Sequence, residues 1–301
     1  MNRNNRQLEN WIYLACLMEA TARKPGNVHP TASFPDLTYP DFLKSAAVIA
    51  PLLAHTDSHN IGSVIRQCIS ETQKVIPSNS NLGMVLLLAP LAAVPLDKTI
   101  EDGIQEILTE LTIQDAREVY EAIRIANPGG LGKTESEDVS VEPTGTLREV
   151  MTLAADRDSV ASEYANAFQI TLGTAAPALR ELWKQCDDWE DAIIRLQLQL
   201  MSDFPDTLIA RKRGFAEAEQ SAERARTALD AEDFATGLSQ FDAWLRQDGN
   251  QRNPGTTADL IVACLFVAMR DGFIPTPDLS TIRKQIPRKF EHDLRNIPHD
   301  E

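Results

Sequence analysis

Asp203 and Asp206 stand three residues apart and are followed by Arg211, Lys212 and Arg213, three consecutive cations in a chain whose formal net charge is −15. Carboxylates so spaced can hold Mg²⁺, and Arg and Lys take phosphate oxygens, so the stretch suits a triphosphate. A solvated salt-bridge cluster is the other reading of the same charges. A further carboxylate, Asp259, closes the run Asn253-Pro254-Gly255-Thr256-Thr257-Ala258. Pro254-Gly255 turns the chain, Thr256 or Thr257 can cap the helix that follows, and Asp259 is expected in its first turn. An acid there either finishes a cap or shares a free helix N-terminus with phosphate and its metal ion.

Two more stretches could contribute. Glu19 comes near the end of an apolar helix and leads into Arg23-Lys24-Pro25-Gly26-Asn27-Val28-His29. A carboxylate in such a helix needs a partner. Arg23 or Lys24 could pair with it structurally; alternatively Glu19 faces a pocket with Lys24 on phosphate and Asn27 and His29 as polar liners. Asn79-Ser80-Asn81-Leu82-Gly83 opens directly onto Met84-Val85-Leu86-Leu87-Leu88. Asn and Ser are ordinary helix-start residues, yet this loop and the Asn253 loop, both feeding buried helices, could share one pocket.

These residues need helices to position them. From Ala258 to Met269 eleven of twelve residues are apolar, as is nearly all of Leu82 to Val94, so both segments are expected at the centre of the molecule. Helices are predicted around them: Trp11 to Ala22, Asp41 to Ala54 with Ser45 as its small polar residue, Ile61 to Val75, and Thr112 to Ala126. The run continues from Thr146 to Ala155, Val160 to Leu172 with Tyr164 and Phe168 on one face, Ala178 to Lys184, Trp189 to Leu200, Phe215 to Leu229 and Phe234 to Arg246. No stretch alternates long enough for a strand. The expected fold is all-α, one domain over residues 1–285 of about a dozen helices, with a loose mixed-charge tail over 286–301. Asn127-Pro128-Gly129-Gly130-Leu131-Gly132-Lys133-Thr134 is not a Walker A loop: the first glycine is missing, a helix precedes it, and Glu135-Ser136-Glu137-Asp138 follows it. Gly129-Gly130 is read as a helix stop opening a loop that could act as a lid.

The 301 residues are 43% apolar, ordinary for a folded protein. The acidic balance argues against a nucleic-acid surface, which needs clustered cations. Cys16, Cys68, Cys186 and Cys264 form no CxxC pair and read as reduced core thiols, pointing to the cytoplasm. Neither a membrane-spanning run nor a signal peptide is expected.

In order and spacing, several of these pieces together resemble the triphosphoribosyl-dephospho-coenzyme A synthase family. They are Glu19 with Lys24-Pro25-Gly26, the Asn79 to Gly83 loop, Asp158-Ser159-Val160-Ala161 with Tyr164, Asp206-Thr207 with Arg211-Lys212 and Gly214, and Asn253 to Leu260. The resemblance implies an all-helical enzyme that moves the 5-triphosphoribosyl group of ATP to the 2′-hydroxyl of 3′-dephospho-coenzyme A and releases adenine. It implies small-molecule nucleotide substrates, with Mg²⁺ accompanying ATP, and leaves the oligomeric state open. On that basis Glu19 is the candidate general base, with Asp206 beside it in the chemistry. Asp203, Asp206 and Asp259 are the Mg²⁺ candidates, and Lys24, Arg211 and Lys212 the phosphate contacts. Gly26, Asn27, His29, Ser45, Asn79, Asn81, Gly83, Tyr164, Asn253, Gly255, Thr256 and Thr257 are the remaining substrate-binding candidates.

The chain departs from the pattern in two loops. Where lyase-type members usually read Lys-Pro-Gly-Leu-Val-Asp it has Asn27-Val28-His29 after Gly26, and where they read Asn-Thr-His-Lys-Gly it has Asn79-Ser80-Asn81-Leu82-Gly83. An acid, a His and a Lys are thereby absent, which suggests a divergent branch with a related acceptor, in this or another coenzyme pathway such as methanopterin synthesis. Alternatives are a nucleotide or N-glycoside hydrolase and a non-catalytic helical nucleotide-binding protein.

Overall fold

The computed structural model describes residues 3–128 and 139–290. It is all-α: apart from two isolated bridges, His29 with Ala32 and Phe34 with Leu37, the described residues contain no β-pairing. Gly129-Gly130 lies outside the described residues.

Helix α14 (Gly255–Arg270) is the axis of the fold. Every residue from Thr256 to Met269 is buried except Asp259. Each large apolar side chain buried this way contributes about 1.5–3 kcal/mol, so a carboxylate is tolerated within the run only where one face opens on a cavity. Around α14 pack α1 (Arg3–Thr21), α4 (Leu82–Ala93), α9 (Ala176–Gln185) and α10 (Trp189–Asp203). Helix α4 is buried along almost its whole length, as its uninterrupted apolar sequence predicts. Outside this centre lie α2 (Tyr39–Leu53), α3 (Ile61–Gln73), α5 (Ile100–Glu110) and α6 (Ile113–Ala126). Helix α5 is an addition to the sequence expectation; its start is marked by Thr99, whose hydroxyl accepts from the Asp102 amide.

A second, smaller apolar cluster joins α10 to α11 (Thr207–Arg213), α12 (Phe215–Leu229) and α13 (Phe234–Arg246), with Phe241, Trp244 and Leu245 at its heart. The turn Arg23 to His29 wedges α1 against this part of the molecule. Arg23 pairs bidentately with Glu190, the Gly26 amide donates to Asp242, and the buried Gln197 amide donates to the Pro25 carbonyl and to Asn27 Oδ1. Gly26 has φ +74°, and a Cβ there would lie 2.7 Å from Leu245 and 2.9 Å from Pro254, so only glycine fits.

Three expectations are corrected. The segment from Val160 does not run on to Leu172 as one helix: α7 (Leu147–Thr152) leads to α8 (Ser159–Ala165), Ala167 and Phe168 turn left-handed, and a π-helical stretch Gln169–Ala175 follows. The buried Glu163 carboxylate accepts from the Ile170 and Thr171 amides and holds this break, which an apolar spacing that continues across it hides. Of the tail expected over 286–301, residues 291–301 lie outside the described residues, and the first part packs on the core. After α15 (Leu279–Arg283), Ile286 is buried, and the Phe290 ring packs edge-on against Tyr39 at 5.2 Å between centroids. Lastly, α14 begins at Gly255, so Thr256 and Thr257 belong to its first turn, and Asp259 falls one turn further in.

Candidate active site

The start of α14 has no cap of its own, since its N-cap residue is Pro254. The acceptor comes from another helix. Asp206 Oδ2 accepts from the Thr257 amide at 2.8 Å and its hydroxyl at 2.7 Å, while Asp206 Oδ1 caps α11 by accepting from the Leu208 and Ile209 amides at 2.9 and 3.0 Å. One carboxylate therefore ties the N-termini of α11 and α14 together. Asp158 does similar work next door: Oδ1 accepts from the Val160 and Ala161 amides at the start of α8, and Oδ2 accepts from Arg211 Nη1 at 3.1 Å. The Ser159 amide donates to the Thr207 hydroxyl, which lies 3.2 Å from that of Thr256.

The start of α4 meets α14 from the other side. The Gly83 Cα approaches Asp259 so closely that a Cβ would sit 1.9 Å from Asp259 Oδ2. Gly83→Ala must therefore displace the Asp259 side chain from its place against α4. Overpacking of this kind destabilises by about 1–3 kcal/mol, and turnover should fall more than tenfold because the carboxylate moves. Thermal melts and steady-state rates of the variant check this; an unchanged melt would mean that the contact is slack.

Between these helix starts is a cavity of about 1100 Å³. Glu19, Asp36, Asp156, Asp158 and Asp259 line it as acids, and Arg157, Arg211 and Lys212 as cations, with Asn79, Ser80, Asn81, Gly83, Asn253, Gly255 and Thr256 between them. Asn27 also reaches it, held by Gln197 and by donating from Nδ2 to Asn253 Oδ1 at 2.8 Å. The N-termini of α4 and α14 place positive dipole ends at this space.

Burial pushes the Asp259 carboxyl well above the usual range, and repulsion from Glu19, Asp206 and Asp158 adds to it against the attraction of Arg211. Glu19 has Lys24 and Asp158 has Arg211 as counter-ion, whereas Asp259 has no cation of its own among the described residues. Lys212 donates to the Asn250 carbonyl at 3.0 Å, and burial lowers its ammonium from the usual range. Two polar atoms are buried without a protein partner at this cavity: Arg211 Nε and Ser80 Oγ. A bound acceptor-rich group would satisfy both.

Several sequence candidates lie elsewhere. Lys24 is fully buried and does not face the cavity; its ammonium pairs with Glu19 Oε1 at 2.9 Å and donates to the Glu19 carbonyl, so it serves as counter-ion, not as a phosphate contact. Asp206 is buried with both oxygens occupied by protein donors, and burial raises its carboxyl; no lone pair is left over for Mg²⁺ or a proton. Asp203 is exposed at the end of α10 and does not line the cavity. The three acids therefore do not converge on one ion, and among the described residues no group of three metal-ligating side chains does.

Gly26, His29, Ser45, Tyr164 and Thr257 also stand off the cavity. Burial, with Arg246 and Lys24 nearby, pushes the His29 imidazole down to about 4, and its Nδ1 contacts the Thr31 hydroxyl. Ser45 is buried in α2, and the Tyr164 hydroxyl donates to the Leu86 carbonyl at 2.6 Å. Ser80, Asp158 and Gln197 are the residues that sequence reasoning left without a site role. Position inside the Asn79 loop was the only signal for Ser80, and Gln197 had none.

Residues 5–274 match the family described as ATP:dephospho-CoA triphosphoribosyl transferase. The chain belongs to this family. It is thus a member of a transferase family, and its fold has a solved counterpart. A crystal structure from Archaeoglobus fulgidus, whose assignment as a triphosphoribosyl-dephospho-CoA synthase is provisional, shares 27% identity at a TM-score of 0.61, covering 77% of this chain and 100% of that one. A search of the curated proteins gives no match. The two loops sit differently: His29 is buried off the cavity, whereas Leu82 lies on the cavity wall. None of the described helices is long and apolar enough to cross a membrane, and the four cysteines are free.

Proposed function

We propose that this chain transfers the 5-triphosphoribosyl group of ATP to the 2′-hydroxyl of 3′-dephospho-coenzyme A, or of a related acceptor, with release of adenine. The observation that carries the reading is the cavity itself: the unmatched Asp259 carboxylate beside Arg211 Nε and Ser80 Oγ, both lacking partners, at the meeting of the α4 and α14 N-termini. Phosphates suit Arg211, Lys212 and the helix N-termini. The acids suit the reacting sugar. The bond from C1′ to adenine breaks first, its electron pair leaving with the base, the negative cluster stabilises the cationic sugar, and Glu19 takes the proton of the acceptor hydroxyl as its oxygen bonds to C1′.

Mg²⁺ fits here in its usual manner, with one or two carboxylates and substrate oxygens in place of an all-protein cage. Asp259, whose charge the surrounding acids disfavour, would hold it, with Asp158 a further acid on the wall; the ion would neutralise phosphate charge. Asp206 acts as a positioning residue that sets the start of α14.

Adenine release, followed by chromatography with ATP and Mg²⁺ in the presence and absence of 3′-dephospho-coenzyme A, tests this. Release that requires the acceptor is expected. Release without it would replace the transfer by hydrolysis, and none with either mixture would overturn the reading.

A further inference from the structure

We propose that Phe215 is a stacking platform for the adenine ring of a bound nucleotide at the mouth of the cavity. This rests on the nucleotide reading above and adds to it a residue that recognises the base. Phe215 is 64% exposed, the most exposed large apolar side chain of the described residues. It belongs to neither apolar cluster and is not among the side chains packed against them. It does line the cavity, four residues beyond Arg211 and three beyond Lys212, so the ring and the two cations border one space.

The backbone places it there. Helix α11 ends and α12 begins at a single shared residue, Gly214, which has φ +94°. A Cβ at Gly214 would meet nothing within 4 Å, so its conformation, and not crowding, calls for glycine there. That sharp turn sets Phe215 at the first position of α12, away from both apolar clusters. Its charged neighbours are engaged with one another, Arg213 with Asp248 and Glu217. The ring stands outside both apolar clusters, and Leu153 is the one other exposed large apolar side chain of the described residues on the cavity wall.

A nucleotide matches what is left: an anionic tail for Arg211 and Lys212, and a flat π face for a free aromatic ring. Stacking a base on an aromatic side chain contributes about 1–3 kcal/mol, which is roughly 5- to 150-fold in affinity. Both substrates of the proposed reaction carry adenine, so the chemistry is shared and the ligand series must separate its source.

The test is calorimetric titration of the wild type, Phe215→Ala and Phe215→Trp with ATP, 3′-dephospho-coenzyme A, inorganic tripolyphosphate and 4′-phosphopantetheine. The last two lack the base. Phe215→Ala should weaken one adenine-bearing ligand about tenfold or more, keep the base-free ligands and the melting temperature unchanged, and be rescued by Phe215→Trp. Loss confined to ATP assigns the ring to the donor, and loss confined to 3′-dephospho-coenzyme A assigns it to the acceptor. Unchanged affinity for both adenine ligands, or equal loss for base-free ones, would overturn the platform. A wild type that binds adenine ligands through Phe215 yet releases no adenine would instead overturn the transferase reading and leave the platform standing.

Discussion

Asp259→Asn is expected to lower turnover by about 10²- to 10³-fold and at the same time to raise thermal stability in buffer free of divalent cations. Both effects have one cause. The carboxyl of Asp259 lies poorly solvated on the cavity wall beside Glu19, Asp206 and Asp158, so its ionised form is disfavoured in the folded protein. A carboxyl whose folded value lies above its unfolded value of about 3.9 contributes stability that is present at low pH and lost as pH rises through the folded value. The amide cannot ionise. Its advantage should therefore be absent near pH 4 and grow towards pH 8, reaching a Tm difference of about 2 °C or more, the shift that ~1 kcal/mol produces in a chain of this size. Melts at pH 4.5, 6 and 8, beside adenine-release rates, read both effects. Equal melting temperatures at every pH would show that the charge is not strained, and retained turnover would remove Asp259 from the site.

Lys24→Met should be the most destabilising single change in the neighbourhood. The ammonium is fully buried and Glu19 is 3% exposed, so the variant leaves a carboxylate in the interior without its 2.9 Å partner and beside the other acids. Breaking a buried pair by deleting one member costs about 3–5 kcal/mol, a large part of the ~5–15 kcal/mol that holds a domain folded. Removing both charges, with Glu19→Gln added to Lys24→Met, should recover most of that loss, because neither group is then left uncompensated. Turnover should stay lost in the double variant, since Glu19 also faces the cavity. A double-mutant cycle in urea measures the coupling. A loss below about 1 kcal/mol in the single variant would mean that water reaches the pair.

Glu19, Asp203 and Asp206 show how far local sequence reaches. The pairing of Glu19 with a cation of the following turn was one of two open readings, because a carboxylate in an apolar helix needs a partner within reach of that helix end. The alternative use of Lys24, on phosphate, fails because the turn folds inward: Gly26, Asn27 and Arg23 are held by Asp242, Gln197 and Glu190, residues more than a hundred and sixty positions away. Asp206 and Asp203 read alike in sequence, two acids before three cations. In the fold one is exposed, and the other is consumed by two helix starts.

Periodicity and composition alone determined the all-α class, the central places of the α4 and α14 segments, and the loops that open onto them. These depend on apolar runs and on turn and capping residues within a few positions of each other, which the chain carries locally. Which acid remains unmatched, which polar atoms lack a partner and where the one exposed aromatic ring of the cavity stands were decided only by tertiary structure. Each depends on a partner being present or absent in space: Thr257 for Asp206, Arg211 for Asp158, and none within the protein for Ser80 Oγ. Hydrogen bonding and desolvation act over a few ångströms, and in this fold those ångströms join residues about fifty positions apart.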